Sequence, residues 1–570
     1  MRILPRAAFA VVCAFLLLFS VNSSNAKNSH QTAVTRTSVS SGNWDSPSTW
    51  SGGVVPTSGN DVVIAAGTTV ALSSDASIGS GKVTIESGAI LDLAAAYLTA
   101  GLLVANDGSE VRQGSSQPEP RASIATYQLA ADSTFTYYGN SSSLLNSHPT
   151  YGNLNFQTTA AGNGSIMTNL TVLGKFTLDL TNDRELQMKK NFAYSFGSIE
   201  VKRGKLSLNT SSGTPSINVN VQHDILIAPL GTLCGTTNTG HVSLNLGGDL
   251  INNGTFQPNN GNGTGVFTVN LNGTVEQHIA GSNPISFENL TINNSAGVVL
   301  DREVAVDKAL TLTSGSVHAE DFALHAGPSS TIVGAGENSY ITGYIAKEFS
   351  STGSFVFPVG TDSGYSPVNA TIAALATNPS KLTVAAFNGA GPGVEAANSV
   401  TRFWNVVEDG DLTANLTFSY RDADVTTPVA EASYSLVKKE GNGTPVVVCT
   451  GSGCVDATAN TATANGLTAF SRWAIGVPVA PSSAEAMVAG RVVNAEARAV
   501  KGAFLTAVGT DGRVRFAITN QFGYYSLRAL TAGETYTITI YSKQYSFAPS
   551  TRVITLNDIE SQLDFVAEGR

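Results

Sequence analysis

The chain reads as an all-β protein: a parallel β-helix or β-solenoid followed by two β-sandwich modules. Three observations predict this. Short apolar alternations recur from about residue 41 to 345, broken every five to ten residues by Gly, Asn, Asp or Ser, and no window there sustains a helical period for three turns. Only 13% of the 570 residues are charged while 42% are hydrophobic, so there are few long charged side chains to solvate helix faces. Weak self-similarity is also present, with Tyr151-Gly-Asn-Leu-Asn-Phe156 echoed by Phe287-Glu-Asn-Leu-Thr-Ile292 and a further strand pair soon after each.

Residues 1–26 have the form of an export signal. Arg2 and Arg6 precede an apolar run from Ala7 to Val21, and Ser24-Asn25-Ala26 is a small-x-small cleavage site. The run is shorter than the roughly 20 residues of a spanning helix, and no membrane insertion of the mature chain is expected. Cleavage after Ala26 removes Cys13 and leaves three cysteines. Cys449 and Cys454 are separated by Thr-Gly-Ser-Gly, a flexible spacer that brings two Cα atoms within disulfide range, and export favours the bond. A metal site is the competing reading, although the pair supplies two ligands where zinc takes four. Cys234 is left as a buried, inert thiol.

Residues 27–348 are assigned to the β-helix. Asp61–Ile64, Lys82–Ile85, Phe176–Leu180, Ser198–Val201, Lys205–Leu208 and Val266–Leu271 each read as a strand with one face buried. Coiling lets each turn bury its apolar stripe on the previous one, with pairings only between neighbours. At roughly 20 to 25 residues per coil and about 4.8 Å per layer, 300 residues make a rod of about 60 to 70 Å. Asn and Thr at equivalent positions are then expected to form hydrogen-bonded ladders. Low charge has the same origin, because like charges stacked at strand spacing repel.

Residues 349–398, with Gly353 to Gly360 and Tyr365-Ser-Pro-Val368, are expected to cap the open end of the coil. Longer strands from 399 to 478, with Trp404 and Trp473, read as an Ig-like β-sandwich. A Pro-containing, Ala- and Ser-rich stretch, 479–487, serves as a linker. Residues 488–567 form a last β module whose aromatics, Phe504, Phe516, Phe522, Tyr524, Tyr525, Tyr536 and Tyr541 among them, are expected to fill a small core.

Two segments resemble known families. Ser41-Gly-Asn-Trp44, Ser48-Thr-Trp50, Gly52-Gly53, Pro56, Asp61-Val62 and Ile64 resemble the N-terminal portion of the domain family named for its eight glycines, and the entry segments of large secreted bacterial β-helix proteins. That resemblance implies a right-handed coil and an extracellular setting, without an activity. Val488-Ala-Gly-Arg-Val492, Val500-Lys-Gly-Ala503, Thr519-Asn-Gln-Phe-Gly-Tyr-Tyr525, Leu530-Thr-Ala-Gly533 and Thr535-Tyr-Thr-Ile538 resemble the carboxypeptidase regulatory-like domain, a transthyretin-type or carbohydrate-binding-like sandwich. Ala499 stands where Pro is usual and Asn520 where Asp is usual, which puts an acid-dependent role at 520 in doubt. No peptidase domain accompanies the segment, so the resemblance implies an accessory binding or spacer module.

The net charge of −10 excludes a basic nucleic-acid binder. No His-Glu-x-x-His, Gly-x-Ser-x-Gly, phosphate-binding loop or calcium-binding glycine repeat is present, and no cofactor is implied. Polysaccharide cleavage would require paired carboxylates. The candidates are Asp301, Glu303 and Glu320, with Asp307, Asp321, His318 and His325 nearby; a solvated outer face neutralised by Arg302 and Lys308 is the alternative. Asp422 and Asp424 offer two oxygens to calcium or, alternatively, stabilise a turn. Tyr524 and Tyr525 point to opposite faces of a strand, which places one on a binding surface. The expected partner is a glycan or a cell-surface protein, and the expected function is non-enzymatic adhesion, surface structure or carbohydrate binding. The alternative is a polysaccharide lyase or hydrolase on the coil.

Overall fold

The computed structural model describes residues 33–569, apart from 115–121, 140–142, 146–148, 159–162, 182–183, 212–215, 260–263, 442, 480–484, 510–511 and 557–562. The export signal and most of the linker therefore lie outside the described residues. The fold is all-β, 62% strand and 3% helix, and begins with a solenoid of about 12 turns. Among the described residues no helix is long and apolar enough to cross a membrane.

Each coil lays its strands in parallel register on the coil before. Val62 pairs with Val83, Val83 with Leu103, Leu154 with Phe176, and Leu290 with Leu310. These side chains are fully buried because strand alternation sends every second residue inward. At about 4.8 Å per layer the stack is about 60 Å long. The N-terminal end is closed by Trp44 and Trp50, which pack edge to face at 5.0 Å, and the Trp50 indole N–H donates to the Trp44 carbonyl.

The outward columns include the expected ladder. The Asn245 amide donates to Asn220 Oδ1 at 2.8 Å and the Asn270 amide to Asn245 Oδ1 at 2.9 Å, with Thr291 next in register. Buried amides tie the corners. Asn294 Nδ2 donates to the Val275 carbonyl at 2.6 Å while its Oδ1 accepts from the Ala296 N–H, so neither group is left unpaired in the core.

The coil passes directly into antiparallel structure through one strand, Ile341–Phe349. Its first half pairs in parallel with the solenoid strand Val317–Ala326 and with Val359–Thr361. From Ile345 to Phe349 its free edge pairs antiparallel with Ser380–Asn388, and that sheet continues through Val394–Asp409, Arg472–Pro478, Ser435–Lys439 and Val446–Thr450. A second antiparallel sheet joins Gly353–Phe357, Val368–Leu375, Leu412–Ser419, Thr461–Leu467 and Val455–Asp456. Residues 349–398, expected as a cap, thus supply strands to both sheets. Their alternation is that of sandwich strands because both sheets bury one face on Trp404, Phe418 and Trp473. A continuous apolar core runs from Trp44 to Ile475.

The last module has a separate core and two four-stranded sheets. One contains Tyr524–Thr531, Glu485–Asn494, Phe565–Gly569 and Ser546–Phe547; the other contains Val514–Ile518, Phe504–Val508, Glu534–Tyr541 and Thr551–Leu556. The expectation that its aromatics fill the core is corrected here. Tyr525 and Tyr536 are buried, but Phe504, Phe516, Phe522, Tyr524 and Tyr541 are exposed, and aliphatic residues such as Val488, Leu505, Leu527 and Ile538 occupy the interior. The reason is register: Leu505, paired with Ala517 and Ile540, faces in, which turns Phe504 and Tyr541 outward.

Candidate functional site

The coil acids come first. Asp301 and Glu303 lie at a corner between the strands Val298–Leu300 and Val304–Ser314. The strand Gln277–Ala280 of the preceding coil presents His278, whose Nδ1 is 2.9 Å from Asp301 Oδ2 and whose Nε2 is 3.7 Å from Glu276. Glu303 meets instead His325 of the following coil at 3.4 Å. The two candidate acids are thus held by different histidines. Glu320 lies on the strand Val317–Ala326, beside the register irregularity between Ala319 and Ala323, and its side chain is outside the described set.

Arg302 and Lys308 do not neutralise these acids. Arg302 donates to the Gly281 and Ser282 carbonyls, and Lys308 pairs with the buried carboxylate of Glu288, which also accepts the Phe267 N–H at 2.7 Å. A shallow groove of about 500 Å³ runs beside the corner, lined by Glu276, His278, Asp301, His318, Asp321 and Asp362. Among the described residues no group of three or more His, Cys, Asp or Glu is arranged to hold a metal ion. Glu276 and His278 were missed in the sequence, although His278 stands one coil before Asp301.

Asp422 and Asp424 form a short 3-10 turn and do not share a ligand position. The Asp424 carboxylate is buried, 3.2 Å from Arg402 Nη2 and 2.8 Å from Arg421 Nη2, while Asp422 Oδ1 accepts from the Asn460 amide. Arg402 is itself fully buried and also donates to the Gly364 carbonyl and Ser366. Its burial lowers its pKa and the Asp424 charge opposes that shift. Removing either partner would strand a buried charge, so this cluster is a clamp between strands.

Cys449 and Cys454 form a disulfide that ties the edge strand Val446–Thr450 to the following turn. Cys234 is buried and free, and burial pushes its thiol pKa up, which suppresses the reactive thiolate.

The last module supplies an exposed aromatic platform. Tyr525 is removed from the candidate surface: it is 5% exposed and its hydroxyl donates to the Leu563 carbonyl. Tyr524, one residue earlier, faces solvent at 54% exposure. It sits opposite Arg491, whose guanidinium lies 5.3 Å from the ring centroid, and Arg491 Nε donates to the Phe522 carbonyl at 3.1 Å. The adjacent turn presents Phe522, also largely exposed. Asn520 Oδ1 accepts the N–H groups of Phe522 and Tyr524, and Gly523 takes φ +81° where any side chain would strike the Val492 carbonyl. Asn520 thus shapes the turn through hydrogen bonds that need no acid. Two exposed rings and one oriented cation can stack on a flat ligand face and bond its polar edge.

No protein-family description matches the chain, and no curated protein does so. Among solved structures, the chain is similar to the major pilin subunit BcpA of Bacillus cereus at 10% identity and a TM-score of 0.14, over 28% of this chain and 65% of that one. A C-terminal fragment of the pilus adhesin SpaC from Lactobacillus rhamnosus GG matches at 10% identity and a TM-score of 0.13, over 29% of this chain and 74% of the fragment. The full-length major pilin RrgB from Streptococcus pneumoniae matches at 9% identity and a TM-score of 0.12, over 38% and 70% respectively. This chain thus spans less than two thirds of the Bacillus cereus pilin's length, and no residue correspondence follows from similarity this low.

Proposed function

We propose that the chain is a secreted or cell-surface β protein without catalytic role, in which a rigid rod carries two sandwich modules and the last module binds carbohydrate. The platform of Tyr524, Phe522 and Arg491 carries this reading. Pyranose rings stack their apolar C–H faces on exposed aromatics, and a neighbouring guanidinium supplies hydrogen bonds to ring hydroxyls. A rod fits such a role because it sets the module at a distance from the point of attachment.

The test is a glycan array followed by calorimetric titration with the full chain. Binding is expected to one or more polysaccharides and to fall at least about tenfold in Tyr524→Ala and Phe522→Ala. An array without ligands, or binding unchanged in both variants, would remove the carbohydrate part. Immunolabelling of intact cells tests display, and labelling confined to permeabilised cells would sink it.

The groove beside Asp301 favours a second reading, a polysaccharide lyase or hydrolase on the coil. Cleavage of a polysaccharide panel, lost in Asp301→Asn, Glu303→Gln and Glu320→Gln, is what that reading expects. No cleavage with or without calcium would eliminate it.

A further inference from the structure

The sheet on the opposite side of the last module from Tyr524 has an unusual outer face. Strand alternation turns Phe504, Phe516, Ile518, Val514, Tyr541 and Val553 toward solvent, and the remaining outward positions on its four strands are Val508 and threonines. No charged side chain points outward from these strands. Arg515 and Arg552, the arginines within them, turn to the inner side and lie over Tyr536 and Phe565. The outer face of the other sheet differs, with Arg491, Arg528 and Glu568 among its outward residues. Surfaces that remain in water ordinarily carry about a quarter to a third charged residues.

The register makes this face flat and continuous. Ile518 lies beside Phe504 and Phe504 beside Tyr541; Val514 lies beside Val508, Val508 beside Thr537, and Thr537 beside Val553. The Phe504 and Phe516 rings stack with centroids 5.7 Å apart, and Phe516 is 67% exposed, Val553 66% and Tyr541 63%. The exposed area of the seven apolar residues is on the order of 700 Å², close to the ~800 Å² that each partner contributes to a stable interface.

We propose that this face is the contact between two copies of the chain, packed sheet on sheet through a two-fold axis. Three features select a second copy. A face without charge meets itself without repulsion, which an isologous contact requires. Its β-branched residues, Val508, Val514, Ile518 and Val553 with the threonines, form the ridges by which two sheets interdigitate at about 10 Å. It also lacks the amides, carboxylates and arginines that would hold sugar hydroxyls, all of which a carbohydrate surface needs in addition to rings. The dimer would leave Tyr524 free on the opposite sheet, so it stands or falls independently of the proposed carbohydrate site.

Sedimentation velocity of the full chain between about 1 and 100 µM tests the proposal. A dimer is expected, with its dissociation constant raised at least about 30-fold by Phe516→Lys and by Thr537→Lys. Thr537 is on an interior strand, so its substitution blocks face packing while leaving the sheet edges able to pair. Ser526→Lys, on the other sheet, is expected to leave the dimer intact, and circular dichroism melts of all three variants to match the parent. A monomer at 100 µM overturns the proposal. So does a dimer that survives Thr537→Lys, one that Ser526→Lys abolishes, or a monomer that binds a polysaccharide through Phe516.

Discussion

Glu408 carries the strongest pH signature among the carboxylates on the sandwich. Burial raises its pKa; Lys438 and the Phe470 N–H oppose the shift only in part, and Oε2 lacks a hydrogen-bond partner. A carboxyl group whose pKa is higher folded than unfolded holds its proton more tightly in the folded state. Its contribution is therefore complete below the ordinary carboxylate value and is lost as pH rises through the folded value. Glu408→Gln should raise the melting temperature at pH 7, with the gain vanishing by about pH 4. A thermal denaturation series across pH measures this; an equal gain at both pH values would point to packing instead of ionisation. Tyr524 and Tyr525 illustrate what one residue discloses in sequence: alternation says that they part company, but only the register with Arg491 says which turns out.

At the scale of the element, glycine governs the coil corners. Gly315 sits between the strands Val304–Ser314 and Val317–Ala326 at φ +81°, where a Cβ would collide with the Asn294 carbonyl one coil earlier. Its N–H donates to Asn338 of the next coil and its carbonyl accepts from the Ser339 hydroxyl, so three corners stack there. Gly315→Ala should cost about 2 kcal/mol or more in urea unfolding, whereas Gly336→Ala, with open space around its Cα, should be close to neutral. Equal effects would mean that the stacked corners are more compliant than their contacts suggest.

Strands were the most legible elements, because period-two alternation is local: Asp61–Ile64 and Lys82–Ile85 have the same bounds in sequence and structure. The Asn ladder was legible for the same reason, once coiling was inferred. The role of 349–398 was not, since parallel and antiparallel partners impose the same alternation on a strand. The outer face of the last module was hidden more deeply. Phe504, Phe516 and Tyr541 look like core residues in any window, and only pairing with Leu505, Ala517 and Ile540 shows that the other parity is buried. At the candidate groove, Asp301 and His325 were visible in sequence, but their partners were not, because which residues overlie one another depends on coil lengths that vary from corner to corner.

For the whole molecule, two separate cores predict two unfolding events. The solenoid and first sandwich share one apolar interior, and the last module has its own. Scanning calorimetry should resolve a large and a small transition. Leu290→Ala, in the fully buried first core, should shift only the large one; Leu505→Ala should shift only the small one, each by about 2–5 kcal/mol. A single transition displaced by both substitutions would mean that the modules unfold as one unit.

The strand Ile341–Phe349 has a mechanical consequence. Because one uninterrupted segment is laced to the coil along one stretch and to Ser380–Asn388 along the next, the rod and sandwich have no hinge there. Bending them apart would mean tearing the backbone rungs from Ile345 to Phe349. Torque applied at one end is therefore delivered to the other without slack, as in a lever with a welded head.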